Sequence, residues 1–277
     1  MKASKVISGL ASAVIGFYCL ITVILFAAVF MGALKTNEEL LTNIWGLPER
    51  IYTDNFKKVF VEDGFFRYML NSLLVLAGGL LGAVVLSTTV SYGLAKFNFK
   101  GKKLLTFYFM IGLMFPVQLG IVNLSRVVNG MNLGNSLLGI ILIDSAAISM
   151  SVLILRGFYH SIPDSLSEAA KIDGAGEFTI FARVILPLLK PAMGAVVPML
   201  AIQYWNDFFI PMVFLTRDEK KTMPIAVMKY SLGEHTDYSK MSILFTVIAV
   251  SILPIMILYL LFSKHIIAGI TAGAEKG

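Results

Sequence analysis

Residues 241–262 read MSILFTVIAVSILPIMILYLLF and contain no charged side chain. An α-helix rises about 1.5 Å per residue, so roughly 20 apolar residues in a row cross the hydrocarbon core of a bilayer, which is about 30 Å thick. A helix also satisfies its own backbone hydrogen bonds, as a chain in lipid must. This stretch therefore predicts a transmembrane helix.

Five more apolar blocks precede it, at residues 6–34, 69–94, 104–124, 137–155 and 192–215. The first follows Lys2 and Lys5, as a secretory signal would, but it exceeds the roughly 7–15 apolar residues of such a signal. The predicted fold class is all-α: a polytopic membrane helix bundle with six transmembrane helices. We expect the whole chain, residues 1–277, to form a single transmembrane domain.

The composition agrees with a membrane protein. Hydrophobic residues make up 57% of the chain and charged residues 14%, against about 25% charged in ordinary soluble domains. The net charge is +6, and the lysines lie in loops that flank the apolar blocks, so the charge does not indicate nucleic acid as a partner. Cys19 is the only cysteine, which excludes an intrachain disulfide and a cysteine metal cluster. We expect no bound metal.

The distribution of basic residues predicts the orientation in the membrane. Segment 96–103 carries four lysines and no acid, whereas Arg126 is the only basic residue between the third and fourth blocks. Basic residues concentrate on the cytoplasmic side, so we expect segment 96–103, segment 156–191 and both termini to be cytoplasmic. Segment 217–240 disagrees, because it should be external yet holds five basic residues. Four acids partly balance them, and a downstream loop has limited power to flip well-oriented spans.

The external connection, residues 35–67, allows two interpretations. It is long and mixed in charge, with Trp45, Tyr52 and Phe56 among its acids and bases. It either packs on an extracytoplasmic partner or is a plain solvated loop. Its composition favours the solvated loop.

The cytoplasmic connection carries the most specific pattern. Residues 165–175 read SLSEAAKIDGA, in which Ser165 and Glu168 have capping-box spacing for a helix start and Gly174 suits a left-handed helix end. Glu168 either only caps its own helix, or belongs to a helix-bend-helix that docks on a partner, and spacing alone favours the first interpretation. Apolar residues at helical spacing and two prolines follow: Phe178, Phe181, Ile185, Pro187 and Pro191.

The same residues resemble a family signature. The pattern Glu168-Ala169-Ala170, three residues, Gly174, nine residues, Val184, one residue, Leu186-Pro187 is similar to the cytoplasmic signature of permease subunits of ATP-binding cassette (ABC) importers. That family usually has isoleucine where Val184 stands. Four other stretches resemble the maltose-type branch, which imports sugars and oligosaccharides: residues 86–95, 157–159, 205–208 and 269–274. The resemblance covers nearly the whole chain and is weakest in residues 35–67.

The resemblance implies partners and a cargo. In such importers two permease subunits form the pore, two cytoplasmic ABC ATPase subunits drive it, and an extracytoplasmic sugar-binding protein delivers the sugar. This chain would then pair with a second homologous permease, as a heterodimer, in the cell (inner) membrane of a bacterium or archaeon. The implied cargo is an oligosaccharide, of the raffinose or multiple-sugar type.

The resemblance also implies how the chain is driven. The signature segment would be the coupling helix, which docks into a cleft on the ATPase, so that closure of the ATPase dimer on ATP rocks the membrane bundle from inward-open to outward-open. The tail, residues 266–277, would reach the ATPases, although a disordered terminus is the default interpretation. The residues to which the resemblance assigns ATPase coupling are Glu168, Ala169, Ala170, Asp173, Gly174, Phe178, Leu186 and Pro187.

The sequence contains no nucleotide-binding or catalytic motif. Gly101-Lys102-Lys103 lacks the spaced first glycine and the hydroxyl residue of a phosphate-binding loop. ATP and magnesium would therefore be bound by the partner ATPase subunits, and we expect no cofactor on this chain. Neither a Gly-x-Ser-x-Gly elbow nor a His-Glu-x-x-His pair occurs. The chain is predicted not to be an enzyme.

Polar residues inside the apolar blocks are candidates for a sugar pathway, because polar groups are costly in a membrane. Sugar hydroxyls bind amides and carboxylates, and the apolar faces of a sugar ring stack on aromatics. The candidates are Gln118 and Asn123, which follow Pro116, then Asp144, and the cluster Gln203, Tyr204, Trp205, Asn206 and Asp207. Each alternatively holds helices together or contacts the partner permease. For the cluster around Trp205 we favour the pathway, whereas Gly78 and Gly82 have the spacing of close helix packing.

Two other classes of protein fit the sequence less well. An ion-coupled secondary sugar transporter would need membrane-embedded acid pairs and often internal repeats, and only Asp144 and Asp207 qualify. A membrane-bound enzyme of lipid or glycan metabolism would need clustered acids or histidines at an interface, but His160, His235 and His265 lie at or beyond the block ends. The secondary transporter stays the alternative.

Overall fold

The computed structural model describes residues 2–232 and 240–274, and every regular element within them is helical. Two 3-10 turns, Val117–Gly120 and Asp218–Lys220, and two π-helical turns, Lys58–Glu62 and Ile180–Ile185, accompany the α-helices. The α-helices are α1 Lys2–Ala33, α2 Asn37–Thr42, α3 Asp54–Lys57, α4 Phe65–Lys96, α5 Lys102–Met114, α6 Ile121–Gly130, α7 Leu137–Ala146, α8 Ser149–His160, α9 Asp164–Ile172, α10 Glu177–Thr179, α11 Leu186–Leu188, α12 Lys190–Asn206, α13 Phe209–Phe214, α14 Met223–Leu232 and α15 Met241–Ala274.

Among the residues that the structure describes, three helical stretches are long and apolar enough to cross a membrane unbroken: Gly9–Ala33, Phe65–Lys96 and Met241–Lys264. Three pairs qualify only when joined across a bend, namely Lys102–Met114 with Val117–Gly130 (101°), Leu137–Ala146 with Ser149–His160 (41°) and Glu177–Leu188 with Lys190–Asn206 (77°). Six spans result if each bent pair is one span. The structure confirms an all-α, polytopic membrane helix bundle.

The third, fourth and fifth predicted blocks are not single straight helices. Block 137–155 divides into α7, which ends at Ala146, and α8, which begins at Ser149. In block 104–124, α5 ends at Met114 and the chain turns at Pro116, because proline has no N–H and cannot continue the hydrogen-bond ladder. Block 192–215 divides into α12, which ends at Asn206, and α13, which begins at Phe209. Apolar composition alone does not reveal such breaks.

The chain divides into two compact units, the first formed by Met1–Arg67 and Ile225–Pro254. Within it α1 lies close to α15, since a methyl group on Gly32 would collide with the Phe245 ring. The buried amide of Asn55 donates hydrogen bonds to the carbonyls of Ala33 (3.1 Å) and Lys35 (2.8 Å). Residues 35–67 are therefore not the plain solvated loop that composition favours. Their fully buried side chains are Lys35, Leu40, Val59 and Phe65.

The second unit is formed by Tyr68–Pro224 and Ile255–Gly277. Its helix α4 packs on α7 through small residues: a Cβ on Gly78 would meet Ile141, and a Cβ on Gly82 would meet Ser145. The prediction of close helix packing at this glycine pair is confirmed. Next to this contact lies an apolar core formed by Val75, Val128, Ile140, Ile210, Phe214 and Leu215.

Candidate functional site

The start of the signature helix differs from the sequence prediction. Helix α9 begins at Asp164, and Pro163 occupies the position before it with an extended backbone. No side chain caps the helix, so the predicted capping box of Ser165 and Glu168 is wrong. The physical reason is that a capping residue must precede the helix in a non-helical conformation, whereas Ser165 already lies inside the first turn.

A lysine from another helix holds the start of α9. Lys96, the last residue of α4, points its ammonium at the carbonyl of Ile162 and at Oδ1 of Asp164, both at 2.7 Å. The Lys96 side chain is 11% exposed, whereas that of Asp164 is 77% exposed. Its hydrogen bond and charge lower the pKa of Asp164 below the ordinary value. This pair, which we call the Lys96 clamp, ties the membrane helix α4 to the signature segment.

The end of α9 agrees with the sequence prediction. Gly174 has a φ of +79°, and its N–H donates to the carbonyl of Lys171 while the N–H of Ala175 donates to Ala170. These two bonds are typical of a helix stopped by glycine. Beyond the bend, Lys171 and Glu177 form an ion pair at 2.6 Å, whose hydrogen bond and charge raise the pKa of Lys171.

Apolar residues of this segment fall into two groups. Ile172 and Phe178 are 87% and 81% exposed. Ile185 is fully buried, and the Phe181 ring lies 5.0 Å from the ring of Tyr92 on α4. Phe178, Phe181 and Ile185, which have helical spacing in the sequence, therefore do not share one environment. The π-helical turn between these positions shifts the register, because it holds more residues per turn than an α-helix.

The remaining signature residues form the outer surface of the segment. Glu168, Ala169, Asp173 and Pro187 are exposed, and Ala170 and Leu186 are partly exposed. Sequence reasoning missed Ile172 as an exposed residue of α9. The sequence feature that could have revealed it is an apolar side chain that lies directly before Asp173 and Gly174 and outside every apolar block. The tail lies partly beyond the described residues, since α15 is described only to Ala274.

Two helix breaks of the second unit, between α7 and α8 and between α12 and α13, lie close to each other. Asp144 lies near the end of α7 and is 6% exposed, and its carbonyl accepts a 2.7 Å hydrogen bond from the Tyr204 hydroxyl on α12. Helix α4 passes close by, because a Cβ on Gly79 would lie 3.0 Å from Cβ of Asp144 and 3.3 Å from the Tyr204 ring. These contacts bring α4, α7 and α12 together, and discontinuous helices are the usual place of a substrate site in a transporter.

The predicted pathway cluster divides between two environments. Tyr204 and Trp205 are buried at 5% and 4% exposure. Asp207 is partly buried, and its Oδ1 accepts from the backbone N–H of Phe209 at 3.0 Å, so it caps α13. The accessible candidates are Gln118, Asn123, Gln203 and Asn206. Within residues 2–232 and 240–274, no three His, Cys, Asp or Glu side chains are grouped as metal ligands.

The chain is similar to known transport proteins. Residues 83–271 match the family described as "Binding-protein-dependent transport system inner membrane component". The chain is 31% identical over 262 residues to the multiple sugar-binding transport system permease protein MsmG of Streptococcus mutans, covering 93% of this chain and 92% of MsmG. It is also 31% identical over 271 residues to the arabinooligosaccharides transport system permease protein AraQ of Bacillus subtilis, covering 94% of each.

A solved structure shares the fold. It is described as a bacterial ABC transporter involved in the import of the acidic polysaccharide alginate, and one of its chains superposes with a TM-score of 0.82 at 21% identity. The match covers 95% of this chain and 98% of that chain. The likeness extends over the helices on both sides of the signature segment.

Proposed function

Because this chain belongs to the family of binding-protein-dependent transport system inner membrane components, we propose that it is a permease subunit of an ATP-driven importer of sugars or oligosaccharides. Subunits of this family transport and are not enzymes. MsmG and AraQ are named for multiple sugars and for arabinooligosaccharides, which supports an oligosaccharide cargo. The raffinose or multiple-sugar type is our specific proposal for it.

The observation that carries this function is the surface of the signature segment. Ile172 and Phe178 are almost fully exposed on a segment that is fixed at both ends. Exposed large apolar side chains on an ordered element mark a contact surface. We assign this surface to the cleft of a partner ATPase, with Glu168 as a charged contact at its edge. ATP and magnesium then belong to the two ATPase subunits.

Motion of the ATPase would reach the membrane through α4. The Lys96 clamp and the Tyr92–Phe181 ring contact join α4 to the signature segment. Further along the same helix, Gly79 touches the break where Tyr204 binds Asp144. A displacement of α9 therefore acts on the helix that packs against both breaks, and such packed elements shift between discrete arrangements.

The sugar pathway would run along the accessible side of the breaks. Gln203 and Asn206 are exposed there, as are Gln118 and Asn123 after the turn at Pro116. The second permease supplies the other half of the pore, and the sugar-binding protein delivers the cargo on the outer side. The buried and partly buried candidates support the helix breaks from inside the bundle: Tyr204, Trp205, Asp144 and Asp207. Unchanged uptake by Asn206→Ala would argue against this pathway.

The orientation follows from the same assignment. Docking on an ATPase requires segment 156–191 on the cytoplasmic side, and we propose that both termini share that side, in a bacterial or archaeal cell membrane. A cysteine at position 168, in a Cys19-free protein, should react with a membrane-impermeant label only after the membrane is opened. Labelling of intact cells at this position would contradict the orientation.

The function is tested with the importer reconstituted in proteoliposomes: this chain, the second permease, the ATPases and the binding protein. Ile172→Asp and Phe178→Asp should each reduce ATP-dependent uptake about tenfold, equivalent to roughly 1.4 kcal/mol of lost docking, and should release ATPase during purification. Phe99→Asp is the matched control, because Phe99 is an exposed apolar residue outside the segment. Sugar uptake that persists without ATP would contradict an importer and favour an ion-coupled carrier.

A further inference from the structure

The first unit exposes a run of large apolar side chains next to a membrane span. Between residues 41 and 51, which we call the exit loop, every large aliphatic or aromatic side chain is exposed. Runs of this kind on an ordered surface mark a contact with a partner or a membrane. The exposed fractions are Leu41 50%, Ile44 36%, Trp45 63%, Leu47 78% and Ile51 68%.

The exit loop is held in one conformation by a buried charge. Lys35 is fully buried, and its ammonium donates to the carbonyls of Asn43 and Gly46, both at 2.6 Å. Removing an ammonium from water is costly unless it is paired or hydrogen-bonded. A plain solvated loop does not require such a residue. The apolar side chains are thus displayed by a built structure.

The contacts of the loop place it at the end of a span. Helix α1 ends at Ala33, and its membrane-spanning stretch is almost entirely unburied within the chain. The N–H of Tyr52 donates to the carbonyl of Leu34 at 2.9 Å, and the Lys35 ammonium reaches Asn43 and Gly46. The middle of the apolar run and the residue after its last member are therefore bonded to Leu34 and Lys35, which directly follow the span.

We propose that the exit loop is an interfacial lipid-binding element that rests in the headgroup region around the end of α1. Its exposed apolar side chains directly follow an apolar span that is almost unburied within the chain, and tryptophan concentrates in the headgroup region because its ring is apolar and its N–H is polar. Leu47 and Ile51 reach the acyl boundary, whereas Glu49 and Arg50, both exposed, remain in water. The loop thereby fixes the depth at which α1 leaves the membrane.

Spin-label accessibility tests the proposal in the assembled importer. In a Cys19→Ser background, with partner subunits free of reactive cysteines, a nitroxide is placed at Trp45→Cys, Leu47→Cys or Ile51→Cys in nanodiscs of phosphatidylcholine and phosphatidylglycerol. All three labels should collide more with oxygen, which concentrates in lipid, than with a water-soluble nickel chelate. The matched control is Glu62→Cys, because Glu62 is exposed but lies outside the exit loop, and it should favour nickel.

Each other outcome contradicts the proposal. Nickel accessibility at position 47 as high as at position 62 would mean that the loop is in water. Labels that neither reagent reaches would mean that another subunit covers it, as would labels that lose oxygen contact when the sugar-binding protein is added. A thermal unfolding midpoint equal to that of the unlabelled protein shows that the variants are folded. The proposed sugar import can fail while the lipid contact holds, because label accessibility is measured without any sugar and does not depend on transport.

Discussion

Residues 35–67 of the first long connection and helix α9 of the second, residues 156–191, are held in place by opposite means. The first has an interior of its own, with Lys35 and Asn55 buried under its backbone. Helix α9, in the second, has no buried residue and is fixed at its two ends, by the Lys96 clamp and by the Gly174 bend. A helix with no buried residue leaves much of its surface free to dock, but it depends strongly on the contacts at its two ends.

The largest effect is expected at the glycine end of α9. Valine at position 174 would have to adopt the φ of +79°, at a strain of roughly 1–2 kcal/mol, or the bend would re-aim Phe178 and the turn that follows. Gly174→Val should abolish ATP-dependent uptake while the protein still inserts in the membrane. Gly174→Asn, which tolerates this conformation better, should retain most activity. Wild-type uptake by Gly174→Val at normal expression would show that the bend does not couple.

The corresponding test in the first connection removes the buried ammonium of Lys35. Lys35→Met leaves two carbonyls without their donor, at a cost of about 1–3 kcal/mol for a partly buried polar group. The thermal unfolding midpoint of the purified protein should fall, and uptake should fall only as far as folded protein is lost. Lys57→Met, at an exposed lysine of the same segment, is the control. An unchanged midpoint would mean that Lys35 is not the interior support of residues 35–67.

A smaller effect is expected at the other end of α9. Lys96→Met removes the contact from α4 to Asp164, and uptake per ATP hydrolysed should drop roughly fivefold, at the lower end of usual coupling effects. Because Lys96 lowers the pKa of Asp164, the pair is complete at neutral pH and is lost only as the pH falls through that lowered pKa. Coupling between pH 6 and 8 should therefore not vary through this pair. Lys100→Met is the control and should behave as wild type. If Lys96→Met retained wild-type coupling, the Lys96 clamp would have no part in the mechanism.

The smallest effect is expected at Glu168, where it distinguishes a helix cap from a docking contact. Glu168 makes no capping bond, so Glu168→Ala should leave α9 intact and weaken ATPase binding only about twofold, as loss of an exposed charge contact does. Ser165→Ala should change nothing, because the hydroxyl does not cap the helix. Titration of the membrane subunits with ATPase measures both. An equal loss of ATPase binding in Glu168→Ala and Ser165→Ala would show that the two residues act together as a capping box.

Much of the site was predictable because its signals are local. The stop at Gly174 requires only a glycine after a short helix, and the structure confirms the left-handed conformation there. The pair Gly78 and Gly82 also predicted its own close packing. Membrane insertion followed from the length of the apolar blocks alone, since hydrocarbon thickness sets the number of residues needed.

Other features depend on contacts between distant residues. A helix that is apolar all round gives no sign of which face packs on protein, so sequence did not separate the buried Trp205 from the exposed Asn206. The capping box had correct spacing, yet Pro163 and the Lys96 clamp set the start of α9 instead. No pattern near Lys35 predicts that its ammonium is enclosed by carbonyls eight and eleven residues later.

The sequence by itself determined that this chain is a polytopic helical membrane protein with the signature of an importer permease, because apolar length and a local motif suffice for both. Tertiary structure alone decided how that signature is held, where the helices break, and that Tyr204 joins two breaks through Asp144. It also decided that residues 35–67 enclose a lysine and display an apolar surface. These properties arise from partners far apart in the chain, which no local pattern specifies.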